Sequence, residues 1–243
     1  MKKLSGCVMS HATRYRDLLK EQWRETDLSE KQAFQIIKRM DSVLSQLPEA
    51  IRQAHERIIG GRLVENNKKI LSLYETHAQV YHRGKSGSET EFGLQLLIGE
   101  SLDGLIVDWD FGAPKNDTLH LKGSLERLKQ GGIKVENVVG DRGFASMKNS
   151  RILDENHIGD HLCPRNVIDL TQRLKEKEFS NFQKRRAQTE GRIGILRYNF
   201  IGATMPAKGY ERQKKHIAWS LLAHNLWLLA RRLASEATLQ QAA

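Results

Sequence analysis

Two stretches of this 243-residue chain hold side chains whose types and spacing suit work on a polyanion. The first is Val138-Val139-Gly140-Asp141-Arg142-Gly143-Phe144, an apolar run that ends in a carboxylate, a guanidinium and a glycine that lets the chain turn. An Asp placed so most often caps the helix that follows. It also stands where ligands gather, at the carboxyl end of a strand. The second stretch holds Gln183, Arg186, Glu190 and Arg197, at offsets of three, four and seven. At about 100° per residue, a continuous helix carries all four on one face. There a carboxylate could bind a metal ion while the arginines hold phosphate oxygens bidentately. The plainer reading is a surface i,i+4 Arg–Glu pair. Gly191 and Gly194 follow Glu190, and each costs about 1 kcal/mol inside a helix. Their presence predicts close packing, or a bound backbone, at that point.

Charge agrees with a polyanion partner. The chain has 39 Lys and Arg against 29 Asp and Glu, a formal net charge of +10. Residues 173–216 contain twelve basic and four acidic residues, so eight of the ten excess charges lie there. Lys184, Arg185 and Arg192 belong to this stretch beside the residues already named. With 39% hydrophobic residues the chain can bury a core. No run of 18 apolar residues and no signal-peptide core is found, which argues against a membrane span and against secretion. Two cysteines, Cys7 and Cys163, are too few for a disulfide framework or a four-thiolate zinc site, and a reducing cytoplasm is expected.

Several elements must position these residues. Ser29 and Gln32 form a capping box before a helical apolar pattern from Ala33 to Leu47. Pro48 is expected to start a second helix that ends at Gly60-Gly61. Residues 70–82 lose helical periodicity. Residues 92–99 and 105–111 flank Asp103-Gly104 and read as a hairpin. A helix over 117–129, a strand over 135–140, a helix over 147–156 and a strand over 158–163 follow. Residues 170–197 and 212–233 are again helical. This order predicts an α/β fold with a mixed sheet flanked by helices.

The combination resembles bacterial insertion-sequence transposases of the DDE type, from about residue 70 to 234. Arg83-Gly84-Lys85-Ser86-Gly87 through Glu91-Phe92-Gly93 is similar to that family's entry into its second strand. Asn116-Asp117 is similar to the pair before its central helix, and Gly140-Asp141-Arg142-Gly143-Phe144 to the strand bearing its second catalytic Asp. Gln183, Arg186, Glu190 and Arg197 fall on its Tyr-Arg-Glu-Lys helical signature, with Gln183 and Arg197 substituting. Trp219 to Leu226 is similar to its closing helix.

The resemblance implies an RNase-H-like domain over 70–243, preceded by a helical segment over 1–69. It implies DNA cleavage and strand transfer with two Mg²⁺ ions. Asp141 and Glu190 would be metal ligands and catalytic residues. Gln183, Arg186 and Arg197, with Arg142, Lys184, Arg185 and Arg192, would contact DNA. The partners implied are double-stranded element ends, and either a second copy or a full-length transposase, in a bacterial cytoplasm and nucleoid, with no membrane. The family's first strand and its Asp have no counterpart. Asp17, Asp27 and Asp41 read as surface residues, and Asp108 and Asp110 do not match. The sequence therefore reads as shortened at its N-terminus, with an incomplete metal site and little or no cleavage by the chain alone. A non-catalytic fragment that binds element ends, or inhibits the full-length enzyme, is the alternative.

Overall fold

A computed structural model describes residues 2–65, 68–82, 90–112 and 116–242. The chain is α/β and predominantly helical, and it divides into two compact units, Met1–Gly93 and Leu94–Ala243. The sequence boundary at 69/70 thus falls within the first unit. The resemblance at residues 83–89 lies outside the described residues.

In the first unit, α1 (Lys2–Gln22) packs on α2 (Glu30–Ile58). The capping box is present: Gln32 N–H donates to Ser29 Oγ, and Ser29 N–H donates to Gln32 Oε1 at 2.9 Å. Pro48 does not start a helix. It lies inside α2, which continues past the missing N–H, and with Ile51 it borders a groove that Ser5, Gly6 and Met9 of α1 also line. Asp17 and Asp41 are half-exposed partners of Arg16, with Arg16 Nη1 2.6 Å from Asp41 Oδ1. Gln53 ties the following segment to α2 through Lys68 O at 2.5 Å and Ile70 N–H at 3.0 Å. A short antiparallel pair, β1 (Gln79–His82) with β2 (Thr90–Gly93), completes this unit. Phe92 therefore belongs to this pair and not to the hairpin that follows.

The second unit opens with that hairpin, β3 (Leu96–Glu100) and β4 (Ile106–Phe111). Gly104 has φ +82° and its N–H donates to Ser101 O at 2.9 Å, the left-handed position that the Asp-Gly pair foretold. Next come α3 (His120–Gln130), β5 (Asn137–Gly140), α4 (Met147–Glu155) and β6 (Gly159–Leu162), with β5 and β6 parallel. Helices α5 (Val167–Arg173), α6 (Lys177–Ile195) and α7 (Tyr210–Ala242) finish the chain. No helix among the described residues is long and apolar enough to cross a membrane.

Among the described residues the strands pair two by two instead of forming one mixed sheet. Part of the cause lies at Ile106. Asn225 of α7 accepts from Ile106 N–H at 2.9 Å and donates to Ile106 O at 2.8 Å, closing that point of the β4 edge to another strand. Two apolar clusters hold the unit. Ile106 and Phe111 pack with Leu196, Ile217 and Leu221, while Leu121, Leu153 and Leu162 join α3, α4 and β6. Each such buried side chain contributes about 1.5–3 kcal/mol.

Asp108, buried on β4, anchors α3. Arg127 Nε lies 2.6 Å and Nη2 2.9 Å from its two oxygens, and Ser124 Oγ donates at 2.5 Å. Asp110 lies 3.7 Å from the same guanidinium. These two acids are structural partners of α3. The Asn225 bridge carries a direct expectation. Asn225→Ala strands two backbone groups of the buried Ile106 and costs about 2–3 kcal/mol, measured by urea unfolding, with the helical content unchanged.

Candidate functional site

Asp141 directly follows β5. Its Oδ1 accepts from Gly143 N–H at 2.7 Å, which curls the loop back on itself. It does not cap the next helix: Ser146 does that, its Oγ accepting from Asn149 N–H at 3.1 Å. The Asp141 carboxylate is exposed and points into the loop.

A second carboxylate meets it there. Asn116 caps the short turn before α3 by accepting from Thr118 N–H, so the adjacent Asp117 has no capping duty. Asp117 Oδ1 instead accepts from Gln95 Nε2 at 2.8 Å. A Cβ on Gly143 would lie 2.4 Å from Asp117 Oδ2 and 2.9 Å from Asp141 Oδ1. Glycine here leaves a cradle that both carboxylates border. Beside it, Gln95 Oε1 is buried without a hydrogen-bond partner. Arg165, just past β6, braces the loop by donating to Arg142 O at 3.1 Å and Gly143 O at 3.3 Å. Arg142 itself is exposed beside the acids.

Hard oxygen donors of this kind suit Mg²⁺. The sequence singled out Asp141 for this role but gave Asp117 none. The legible signal was Asn116, since an Asn that caps leaves the neighbouring Asp without that task. Gln95 and Arg165 reach the site through tertiary packing, and no sequence signal marks them.

The basic helix is sorted differently from its sequence order. Gln183 Nε2 donates to His161 O of β6 at 2.8 Å, which holds α6 against the strand pair. Arg185 donates to Leu102 O and lies 3.5 Å from Ser101 O, gripping the β3–β4 turn. Two helical turns later Arg192 Nε lies 2.7 Å from Oε1 of the buried Glu100, and its guanidinium lies over Gly104. Arg185 and Arg192, expected to meet DNA, are thus engaged with the hairpin. Lys184 is exposed.

Arg186 and Glu190 form the i,i+4 pair at 3.8 Å, with Glu190 mostly exposed. Among the described residues no group of three His, Cys, Asp or Glu side chains is placed to hold a metal. Asp141 and Glu190 are therefore not gathered with a third such ligand. Arg197 lies beyond α6, where the chain widens into π turns over Leu196–Ile201 and Gly202 N–H donates to Arg197 O. Gln183, Arg186 and Glu190 thus lie on α6, and Arg197 at the start of the π turns that continue it. Arg197 is exposed, with its guanidinium 5.8 Å from the Tyr198 ring centre. Around Gly191 and Gly194 a Cβ would meet nothing within 4 Å, so the expected close packing is absent among the described residues.

Beneath α6, His161 is buried, its ring tilted 35° to that of Phe182 with centres 4.2 Å apart, and Nε2 3.1 Å from Asn137 Oδ1. Burial pushes its pKa below the usual 6.5. Arg173 acts in the same sense, while Glu178, Asp160 and Glu176 oppose it only in part. The unfolded chain therefore binds the proton more readily. Stability from this site is full above the unfolded pKa and falls as pH drops through it toward the folded value. His161→Gln should flatten the loss of thermal stability between pH 7.5 and pH 5, roughly the range of a histidine titration. Melting curves at both pH values measure it.

In comparisons with protein-family models, curated proteins and solved structures, nothing matches the chain.

Proposed function

We propose that this chain is a transposase-type protein of DNA transposition, whose Leu94–Ala243 unit presents the Asp117–Asp141 carboxylates to the backbone of double-stranded DNA. The convergence of two carboxylates on Gly143, at the carboxyl end of a parallel strand, carries this reading. An antiparallel hairpin, a helix and then a parallel pair are the order expected of an RNase-H-like domain, which supports the same assignment.

Asp117 and Asp141 would hold a divalent cation in the space a Cβ would otherwise fill. Bound Mg²⁺ supplies an activated water or 3′-hydroxyl and stabilises the leaving oxygen. The chain's own residues do the rest. Arg142, Lys184 and Arg197 offer exposed cations to phosphates, and Arg165 fixes the loop that bears Arg142 and Gly143. Gln95 orients the Asp117 carboxylate. The open side at Gly191 and Gly194 admits a backbone close to α6.

A second reading, DNA binding without cleavage, is favoured by one observation: Glu190 pairs with Arg186 on an exposed helix side and joins no set of three metal-type ligands among the described residues. One experiment separates the two. Duplex DNA binding, followed by anisotropy over a salt series, should weaken linearly on a log–log plot, and Arg142→Ala, Lys184→Ala and Arg197→Ala should each lower the slope by roughly one. Salt-independent binding, or slopes that ignore all three, would overturn the DNA reading. Mg²⁺-dependent nicking of the same duplex, lost in Asp117→Asn, Asp141→Asn and Gly143→Ala, identifies the enzyme. Binding without nicking identifies the non-catalytic form.

A further inference from the structure

We propose that α7 joins two copies of this chain as an antiparallel helix pair. The helix has two apolar sides. Ile217, Ser220, Leu221 and His224 are at most 5% exposed and face the core. On the opposite side Trp219, Leu222, Leu226, Leu229 and Leu233 are 70%, 47%, 58%, 42% and 67% exposed. A helix packed only against its own unit needs a single apolar stripe. The second one has no covering element among the described residues of the Leu94–Ala243 unit.

The spacing of that second side names its occupant. The five residues advance by three, four, three and four, a period of 3.5 that keeps an a/d seam facing another helix that winds around it. The flanks suit close approach of an identical helix. Ala218, Ala223 and Ala230 are small, Asn225 is bound to Ile106, and Arg232 is engaged with Asp103. A chain of net charge +10 should repel its own copies, yet along this strip the flanks bring no unengaged like charge together. The exposed part of the seam amounts to on the order of 600 Å² of apolar surface per copy, near what a standard interface buries per partner.

Charge at the ends sets the direction. At the same spacing the seam runs on to Lys215 on one side and Glu236 on the other. A parallel pair stacks Lys215 on Lys215 and Glu236 on Glu236. An antiparallel pair centred on Leu226 sets Lys215 of each copy beside Glu236 of the other, and opposite charges at such positions choose orientation. This assembly does not depend on the DNA reading.

The test is light scattering of the full chain across a concentration series, with reductant present because Cys7 is an exposed free thiol. The wild-type chain should form a dimer. Leu226→Glu, at an exposed position, should keep its circular dichroism and raise the dimer dissociation constant roughly hundredfold, the size expected for a central seam residue. Lys215→Glu should weaken the dimer by about three- to tenfold, and adding Glu236→Lys should restore it. A parallel pair shows no such rescue, since the double variant still sets like charges together. A monomer at every concentration, with the seam covered by the chain's own first unit or left bare, overturns the proposal. So does an oligomer indifferent to Leu226, or a charge swap that fails to rescue.

Discussion

Helix α6 is the strut on which the Leu94–Ala243 unit depends. The β3–β4 hairpin and the β5–β6 pair share no ladder hydrogen bonds among the described residues, and two-stranded pairs are marginal alone. α6 holds both. Gln183 reaches the β6 backbone, while Arg185 and Arg192, two turns on, hold the hairpin at Leu102 and Glu100. The buried Glu100 makes this more than a surface contact. Removing Arg192 would leave a carboxylate stranded out of water, a larger loss than the pair itself contributes. The π turns that follow then deliver Leu196 into the core beside Ile217 and Leu221.

That strut divides the positive charge into two populations. Some cations face inward and are bound to carbonyls and to Glu100. Others, Arg142, Lys184 and Arg197 among them, remain exposed at the surface. A charge count over residues 173–216 cannot separate these populations, because both raise the local net charge alike. The same holds for the acids. Asp108 is consumed by Arg127 and Ser124, whereas Asp117 and Asp141 border a space kept open by a missing Cβ. Burial and partner, not residue type, separate the structural carboxylates from the candidate ligands.

Local signals were legible where one segment decides its own conformation. The Ser29–Gln32 box, the Gly104 turn, α4 and the short run before Asp141 all behave as their residues predict, because each depends on neighbours within a few positions. Errors arose where distant packing overrides a local preference. Pro48 reads as a helix start but sits inside α2, the long helix that packs along α1. Arg197 falls past the end of α6, where the helix widens as Leu196 enters the core. Gly191 and Gly194 mark an open side, not a packed one.

The sequence by itself determined the run of hairpin, helix, strand, helix and strand from β3 to β6, the α/β class, the basic C-terminal third and the place of Asp141 after a strand, since composition and periodicity carry all of these. Only the tertiary structure decided which carboxylate meets Asp141, which arginines are spent holding the hairpin, and which side of α7 is left facing outward. Those outcomes depend on residues far apart in the chain. Gln95 lies 22 positions from Asp117, and Arg192 lies 92 from Glu100. No periodicity within either segment encodes such a meeting; only the closing of the fold brings the partners together.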